Sequence, residues 1–131
     1  MGVSRVATQI DIAIQGLRLE SKRMKVIAEN IANARTSRTE AGGPYRRKQV
    51  VLETSRGQAV PKVVADVSTA FKSVYEPGNP DADATGLVRM PNVDLPMELI
   101  DMVVASRAYQ ANAAVLKRYQ DMVAATLELL R

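Results

Sequence analysis

The chain has 131 residues, a length that fits one domain, and 47% of them are hydrophobic, enough for a modest core. Aromatic residues make up only 4%, with no Trp and one Phe, so that core must be aliphatic and rich in Met and Ala, which suits packed helices better than a β-sandwich. The formal charge is +4, and the absence of Cys and His removes disulfides, thiolate or imidazole zinc sites, and every Cys–His or Ser–His nucleophile pair.

The first predicted element runs from Val3 to about Ala34. It holds no Pro, has only Gly16 as a weak point, and reads as one long helix. Every seventh residue from Val3 is apolar: Val3, Ile10, Leu17, Met24 and Ile31. The intervening series Val6, Ala13, Glu20, Ile27 and Ala34 is broken only by Glu20. This spacing places the apolar residues along one narrow side, the geometry of a coiled-coil seam. Glu20 then either sets the register between helices or sits at a solvated edge. No uninterrupted apolar run reaches signal-peptide or membrane-span length, so signal-peptide export and membrane insertion are both disfavoured.

The middle of the chain changes character. Gly42-Gly43-Pro44, Pro61, Pro77-Gly78-Asn79-Pro80, Gly86 and Pro91 punctuate stretches too short for stable helices. Gln49–Glu53 and Lys62–Val67 read as strands, with Phe71–Tyr75 and Leu87–Met90 as weaker candidates. Arg35 to Lys62 carries seven basic residues against two acidic, and Val63 to Asp94 two against five. This dipolar middle fits either lateral contact between copies or two ordinary solvated surfaces. The run Arg46-Arg47-Lys48 is not read as a nucleic-acid site, because no aromatic platform accompanies it and a strand would turn alternate residues to opposite faces. Asp81 and Asp83 lack the spacing of a calcium loop and are read as part of a Pro/Gly/Asn turn, with contact to an adjacent subunit as a further expectation.

The last element follows Asp94, a candidate N-cap, and Pro96 in the first turn. Leu99, Met102, Ser106, Tyr109, Ala113, Leu116, Gln120, Val123, Leu127 and Leu130 fall at alternating three- and four-residue steps, again a seam, with Ser106 and Gln120 as exceptions. The expected fold is therefore mainly α with a small β insert: long N- and C-terminal helices (1–36 and 95–131) pairing as a coiled coil, and a short antiparallel β domain (37–94) between them. The insert has too few large apolar side chains to cover two helices of roughly 45 to 55 Å. The helices must cover each other or other subunits, and the flanking Ala residues leave room for further helices to approach.

Certain stretches carry a resemblance. Asn30-Ile31-Ala32-Asn33-Ala34-Arg35-Thr36 resembles the Asn-(Leu/Ile)-Ala-Asn-x-x-Thr signature of the flagellar rod, hook and hook-associated proteins. Gly43-Pro44-Tyr45-Arg46-Arg47-Lys48-Gln49-Val50-Val51, then Val74-Tyr75-Glu76-Pro77-Gly78-Asn79-Pro80-Asp81-Ala82, then Gly86 and Met90-Pro91-Asn92-Val93-Asp94 are similar to the proximal-rod branch of that family. Ser106-Arg107-Ala108-Tyr109-Gln110-Ala111-Asn112 is similar to its C-terminal helix motif. The opening residues depart from the family's Phe/Leu-rich start.

The resemblance implies a structural subunit, not an enzyme, with no cofactor and no metal. Such a subunit is secreted unfolded through the flagellar type III export apparatus and polymerises through its terminal helices into the torque-transmitting shaft. The implied location is the basal-body rod where it crosses the periplasm. The implied partners are other copies of itself, the rod proteins FlgB, FlgF and FlgG, and at the base FliE and the MS-ring protein FliF, with no nucleic acid. The residues expected to carry assembly are Ile10, Leu17, Met24 and Ile31 on the first seam, Asn33 and Thr36 at the helix end, and Tyr109, Gln110, Asn112, Leu116, Val123 and Leu127 on the last helix. The competing reading is a soluble helical adaptor or export chaperone that forms a small defined complex.

Overall fold

The computed structural model describes the backbone of residues 2–131 and the side chains of residues 8–131, so Val3 and Val6 of the first seam lie outside the described side chains. Two long helices, α1 (Gly2–Ala32) and α2 (Leu95–Leu129), enclose four short strands, β1 (Lys48–Ser55), β2 (Gln58–Ala65), β3 (Lys72–Tyr75) and β4 (Leu87–Met90). The helix, β, helix order expected from the sequence is present. Asp94 caps α2 by accepting a bond from the Met97 amide at 3.3 Å, and Pro96 sits in the first turn, where its missing N–H removes no helical bond.

The helices run antiparallel, since Asn30 near the end of α1 meets Glu98 at the start of α2 while Gly16 abuts Asn112 farther along. On α1 the buried line follows Ala13, Glu20 and Ile27, whereas Ile10, Leu17, Met24 and Ile31 lie half-buried on its flank. On α2 the buried residues are Glu98 and Ala105, and Asn112 and Tyr119 continue the same seven-residue series half-buried. This differs by one residue from the expected series through Leu99, Ser106, Ala113 and Gln120. The physical reason lies at both ends of the contact: Glu98 is held inward by Arg47 and Asn30, and Ala105 lets the two backbones come close. Glu20 is enclosed, not at a solvated edge; its Oε1 meets Arg23 Nη1 at 3.4 Å and its Oε2 has no hydrogen-bond partner among the described residues.

The β region consists of two separate two-stranded antiparallel sheets, β1–β2 and β3–β4. The first is a hairpin turned by Arg56-Gly57, with φ of +50° and +78°. Left-handed backbone at both central positions gives a turn whose twist matches the flanking strands, and Gly57 adopts it without steric cost. That turn extends β1 through Ser55 and starts β2 at Gln58, so the pairing is longer than the two strands read from hydrophobicity. Pro61, expected to interrupt the chain, instead lies within β2 opposite Leu52. A strand with a free edge tolerates a residue that lacks an amide donor.

β4 occupies the expected Leu87–Met90 and alternates as a half-buried strand should, with Val88 and Met90 inward and Leu87 and Arg89 outward. β3 starts one residue after Phe71, whose ring lies 4.2 Å from the Arg46 guanidinium and 4.9 Å from that of Arg89. The apolar core is small. It draws on Val26 and Ile27 late in α1, Tyr45 ahead of β1, and Val88, Met90 and Val93 ahead of α2.

Candidate assembly site

The signature at the end of α1 has a definite local geometry. Asn30 is fully buried and uses its whole amide: Nδ2 donates to the Lys48 carbonyl at 2.8 Å and to Glu98 Oε2 at 3.2 Å, while Oδ1 accepts from the Lys48 amide at 3.0 Å and from the Tyr45 hydroxyl at 2.9 Å. One side chain thereby joins α1, β1, the preceding loop and α2. Asn33 lies just past the last helical residue; its Nδ2 donates to the Glu29 carbonyl at 2.9 Å and its Oδ1 accepts from Thr36 Oγ1 at 3.2 Å. The Thr36 carbonyl then accepts the Tyr45 amide at 2.9 Å, which turns the chain toward the strands.

Arg47 forms the second node. Its Nε pairs with the buried Glu98 carboxylate, its other guanidinium nitrogens face Asp66 and Asp101 at 3.9 and 3.8 Å, and its amide donates to Asn92 Oδ1 at 2.7 Å. Asn92 closes the circuit through Nδ2, which donates to the Asp66 and Thr69 carbonyls, each at 3.1 Å. Hydrogen bonds from Ser68 and Thr69 hold the Asp66 carboxyl down to about 2. Burial first, then the negative charges of Glu29 and Glu98, push the Tyr45 phenol up to about 12. The Thr85 hydroxyl, followed by the Leu87 amide, keeps Asp83 below its ordinary value.

The dipolar middle closes largely upon itself. Arg35 pairs with Glu76 at 2.9 Å, Arg38 with Asp81 at 2.8 Å, and Ser37 Oγ donates to Asp81 at 2.7 Å. The basic run Arg46-Arg47-Lys48 is likewise spent internally, on the Phe71 ring, on Glu98 and on Glu29. Attraction between the two charge blocks thus acts within one subunit, through the segment after α1 and the loop after β3.

The twelve residues expected to carry assembly do not form one patch. Ile10, Leu17, Met24 and Ile31 flank the α1–α2 seam, and Asn33 and Thr36 belong to the helix end. Leu116 is half-buried, whereas Tyr109, Gln110, Val123 and Leu127 are exposed. Asn112 packs on Gly16 and donates to its own helix, at the Ala108 carbonyl 3.1 Å away.

Three features escaped the sequence reading. Asn30 lay inside the quoted signature, yet its joining role was visible only once Tyr45, Lys48 and Glu98 converged on it. Glu98 looked like an ordinary acidic residue in the first turn of a helix. The third is a second set of apolar positions on α2, flanking the α1-facing line: Met97, Val104, Ala111 and Ala125 at steps of seven, interrupted by Arg118, beside Ala108, Val115, Met122 and Leu129, a row that opens on Asp101. Met97, Val104, Val115, Met122 and Leu129 are all exposed. A seven-residue count started from Met97 would have found this series. The apolar surface of α2 is therefore wider than the line that α1 covers.

No helix among the described residues is long and apolar enough to cross a membrane. The family model described as flagella basal body rod protein matches residues 10–38, and the one described as flagellar basal body rod FlgEFG protein C-terminal matches residues 84–129. These spans cover most of α1 with the Asn30–Thr36 signature, and β4 with α2. The flagellar basal-body rod protein FlgC of Salmonella typhimurium is 46% identical over 125 residues, covering 91% of this chain and 93% of that protein. FlgC of Escherichia coli O6:H1 is 47% identical over 125 residues with the same shares, and FlgC of Agrobacterium fabrum is 41% identical over 128 residues, covering 92% and 91%. With both terminal helices matched by rod-protein models and with this identity along nearly the full length of curated relatives, the chain belongs to the FlgC family of flagellar basal-body rod proteins.

Proposed function

We propose that this chain builds the proximal section of the flagellar rod by polymerising through its terminal helices, with the uncovered side of α2 as the principal assembly surface. Membership of the FlgC family makes it a structural subunit of the basal-body rod, located there. The observation that carries the finer reading is the exposed apolar set Met97, Val104, Val115, Met122 and Leu129 on a helix whose adjoining Glu98–Ala105 line already packs on α1. Burying each such side chain at a contact is worth roughly 1.5–3 kcal/mol, so several per subunit make a stiff shaft once summed over a polymer. A head-to-tail contact that does not close on itself yields an extended tube.

In this reading residues 1–36 and 95–131 are the polymerising helices, paired with neighbouring helices as coiled coils, and residues 37–94 form the outer segment. The seam residues Leu17, Met24, Leu116 and Val123, together with Tyr109, Gln110 and Leu127, contact neighbouring helices. Those neighbours are further copies, FlgB, FlgF and FlgG, with FliE and FliF at the base, reached after export through the type III apparatus. The chain has a structural task and no catalytic one. Nothing among the described residues favours an adaptor that stops at a small complex.

The test is a strain without this gene, complemented with the parent chain or with Val104→Asp. Parent complementation should restore rod, hook and filament, and Val104→Asp should leave only the membrane ring, while the purified variant keeps the parent's circular dichroism and melting temperature. Normal swimming on Val104→Asp would refute α2's outer side as the assembly surface. Normal rods in the uncomplemented strain would refute the rod role itself.

A further inference from the structure

One further apolar concavity lies apart from the α2 series. It runs between the early half of α1 and the tip of the β1–β2 hairpin, with Ile12 and Leu19 on the helix and Leu52 and Val60 on the strands as its apolar walls. Ile12 and Leu52 are 61% and 59% exposed, high values for large aliphatic side chains that face each other across a groove. The groove has a fixed width, because Lys22 Nζ donates to the Pro61 carbonyl at 3.1 Å and holds β2 against α1. Arg18 is the one charged residue of its lining, no acidic residue joins it, and the Arg18 guanidinium has no ion-pair partner among the described residues.

We infer that this groove receives the distal part of α2 from a second copy of the chain, an inference that rests on the reading of the chain as a rod subunit. Residues 121–131 are exposed throughout, and within them Asp121-Met122 and Glu128-Leu129 form two acidic–apolar pairs seven residues apart. On the groove side Ile12 and Leu19 are also seven apart, and Arg18 precedes Leu19 as Asp121 precedes Met122. Seven residues span about 10 Å of helix, so Met122 and Leu129 match the two apolar positions of α1 in spacing. Met122 set on Leu19 brings the preceding Asp121 to Arg18.

Asp121 has no ion-pair partner among the described residues, so the match brings together two charges that one subunit leaves unpaired. Of the remaining α2 acids, Glu98 and Asp101 face Arg47. Charge complementarity of this kind fixes register more than it adds affinity. The contact gives the distal end of the exposed α2 set its own receiving surface, since it joins one subunit's hairpin to another subunit's helix end and ties the β region to the shaft.

The experiment places a photo-crosslinking amino acid at Leu52 in cells, purifies basal bodies after illumination and identifies the adduct by mass spectrometry. The expected product is a dimer of this chain in which position 52 is joined to the tryptic peptide 119–131. An adduct to another rod protein, an adduct to another part of this chain, or intact rods with no adduct would each overturn the inference while leaving the rod reading in place. Should the substituted chain fail to assemble, Arg18→Asp and Asp121→Arg decide the matter. Each alone should abolish swimming and the two together should restore it; no restoration counts against the contact.

Discussion

Gly16 on α1 stands so close to Asn112 on α2 that a Cβ at position 16 would lie 2.7 Å from Asn112 Nδ2. The residue that looks like a helix weak point is a place where a side chain of α2 lies directly against the backbone of α1, and Asn112 is pinned there by its bond to the Ala108 carbonyl. Gly16→Ala adds helix propensity of about 1 kcal/mol but forces Asn112 out of this position. We expect Gly16→Ala alone to lower the melting temperature, and Gly16→Ala with Asn112→Ala to exceed the single variant, because the second change removes the clash and keeps the propensity. Thermal denaturation of the parent and the two variants is the measurement.

Asn30 offers a sharper test because its four bonds join separate parts of the chain. Asn30→Leu leaves the Tyr45 hydroxyl and the Lys48 amide without their acceptor in a buried place, and should cost about 3 kcal/mol. Asn30→Asp removes the donor and sets a carboxylate against Glu98; adding Glu98→Gln should recover part of that loss. Urea midpoints read both effects, and a midpoint for Asn30→Asp equal to the parent's would contradict the assigned bonds.

Two ion pairs of similar appearance should differ widely in worth. Arg47 meets a Glu98 side chain that is 1% exposed, so Arg47→Ala strands a buried charge and should destabilise by about 3 kcal/mol. Lys62 meets Glu53 with both side chains more than half exposed, at 57% and 58%, and Lys62→Ala should cost less than about 1 kcal/mol. The contrast is measured on one set of denaturation curves.

The pH dependence has two limbs. Tyr45 is raised from 10.0 to about 12, so the unfolded chain releases this proton first; the stability is whole below pH 10.0 and is lost as pH climbs through about 12. Asp66 is lowered from 3.8 to about 2, so its contribution is whole above pH 3.8 and is lost as pH falls through about 2. Tyr45→Phe should flatten the alkaline limb and Asp66→Asn the acid limb, each without altering the other. Melting temperatures recorded across both ranges would show it.

Much of the architecture was legible in the residue order, for reasons that act over short distances. Seven-residue apolar periodicity marks a helix wherever it is placed, and Asp94 with Pro96 fixes a start because capping involves neighbours in sequence. Leu87–Met90 alternates as a strand and is one. The apolar runs Gln49–Glu53 and Lys62–Val67 stop short of the hairpin turn, because Arg56 is a non-glycine residue with positive φ and gives no turn signal of its own.

What the sequence by itself determined about this protein was its inventory and its periodicity: no thiol, no imidazole, two long amphipathic segments and a signature between them. Which side of each helix turns inward was decided only by the tertiary structure. Asn30 and Arg47, both distant in sequence, draw Glu98 into the seam, and Gly16 and Ala105 admit neighbours that hydropathy would not have chosen. A buried polar group must find its partners in space, and those partners lie up to 68 residues away along the chain.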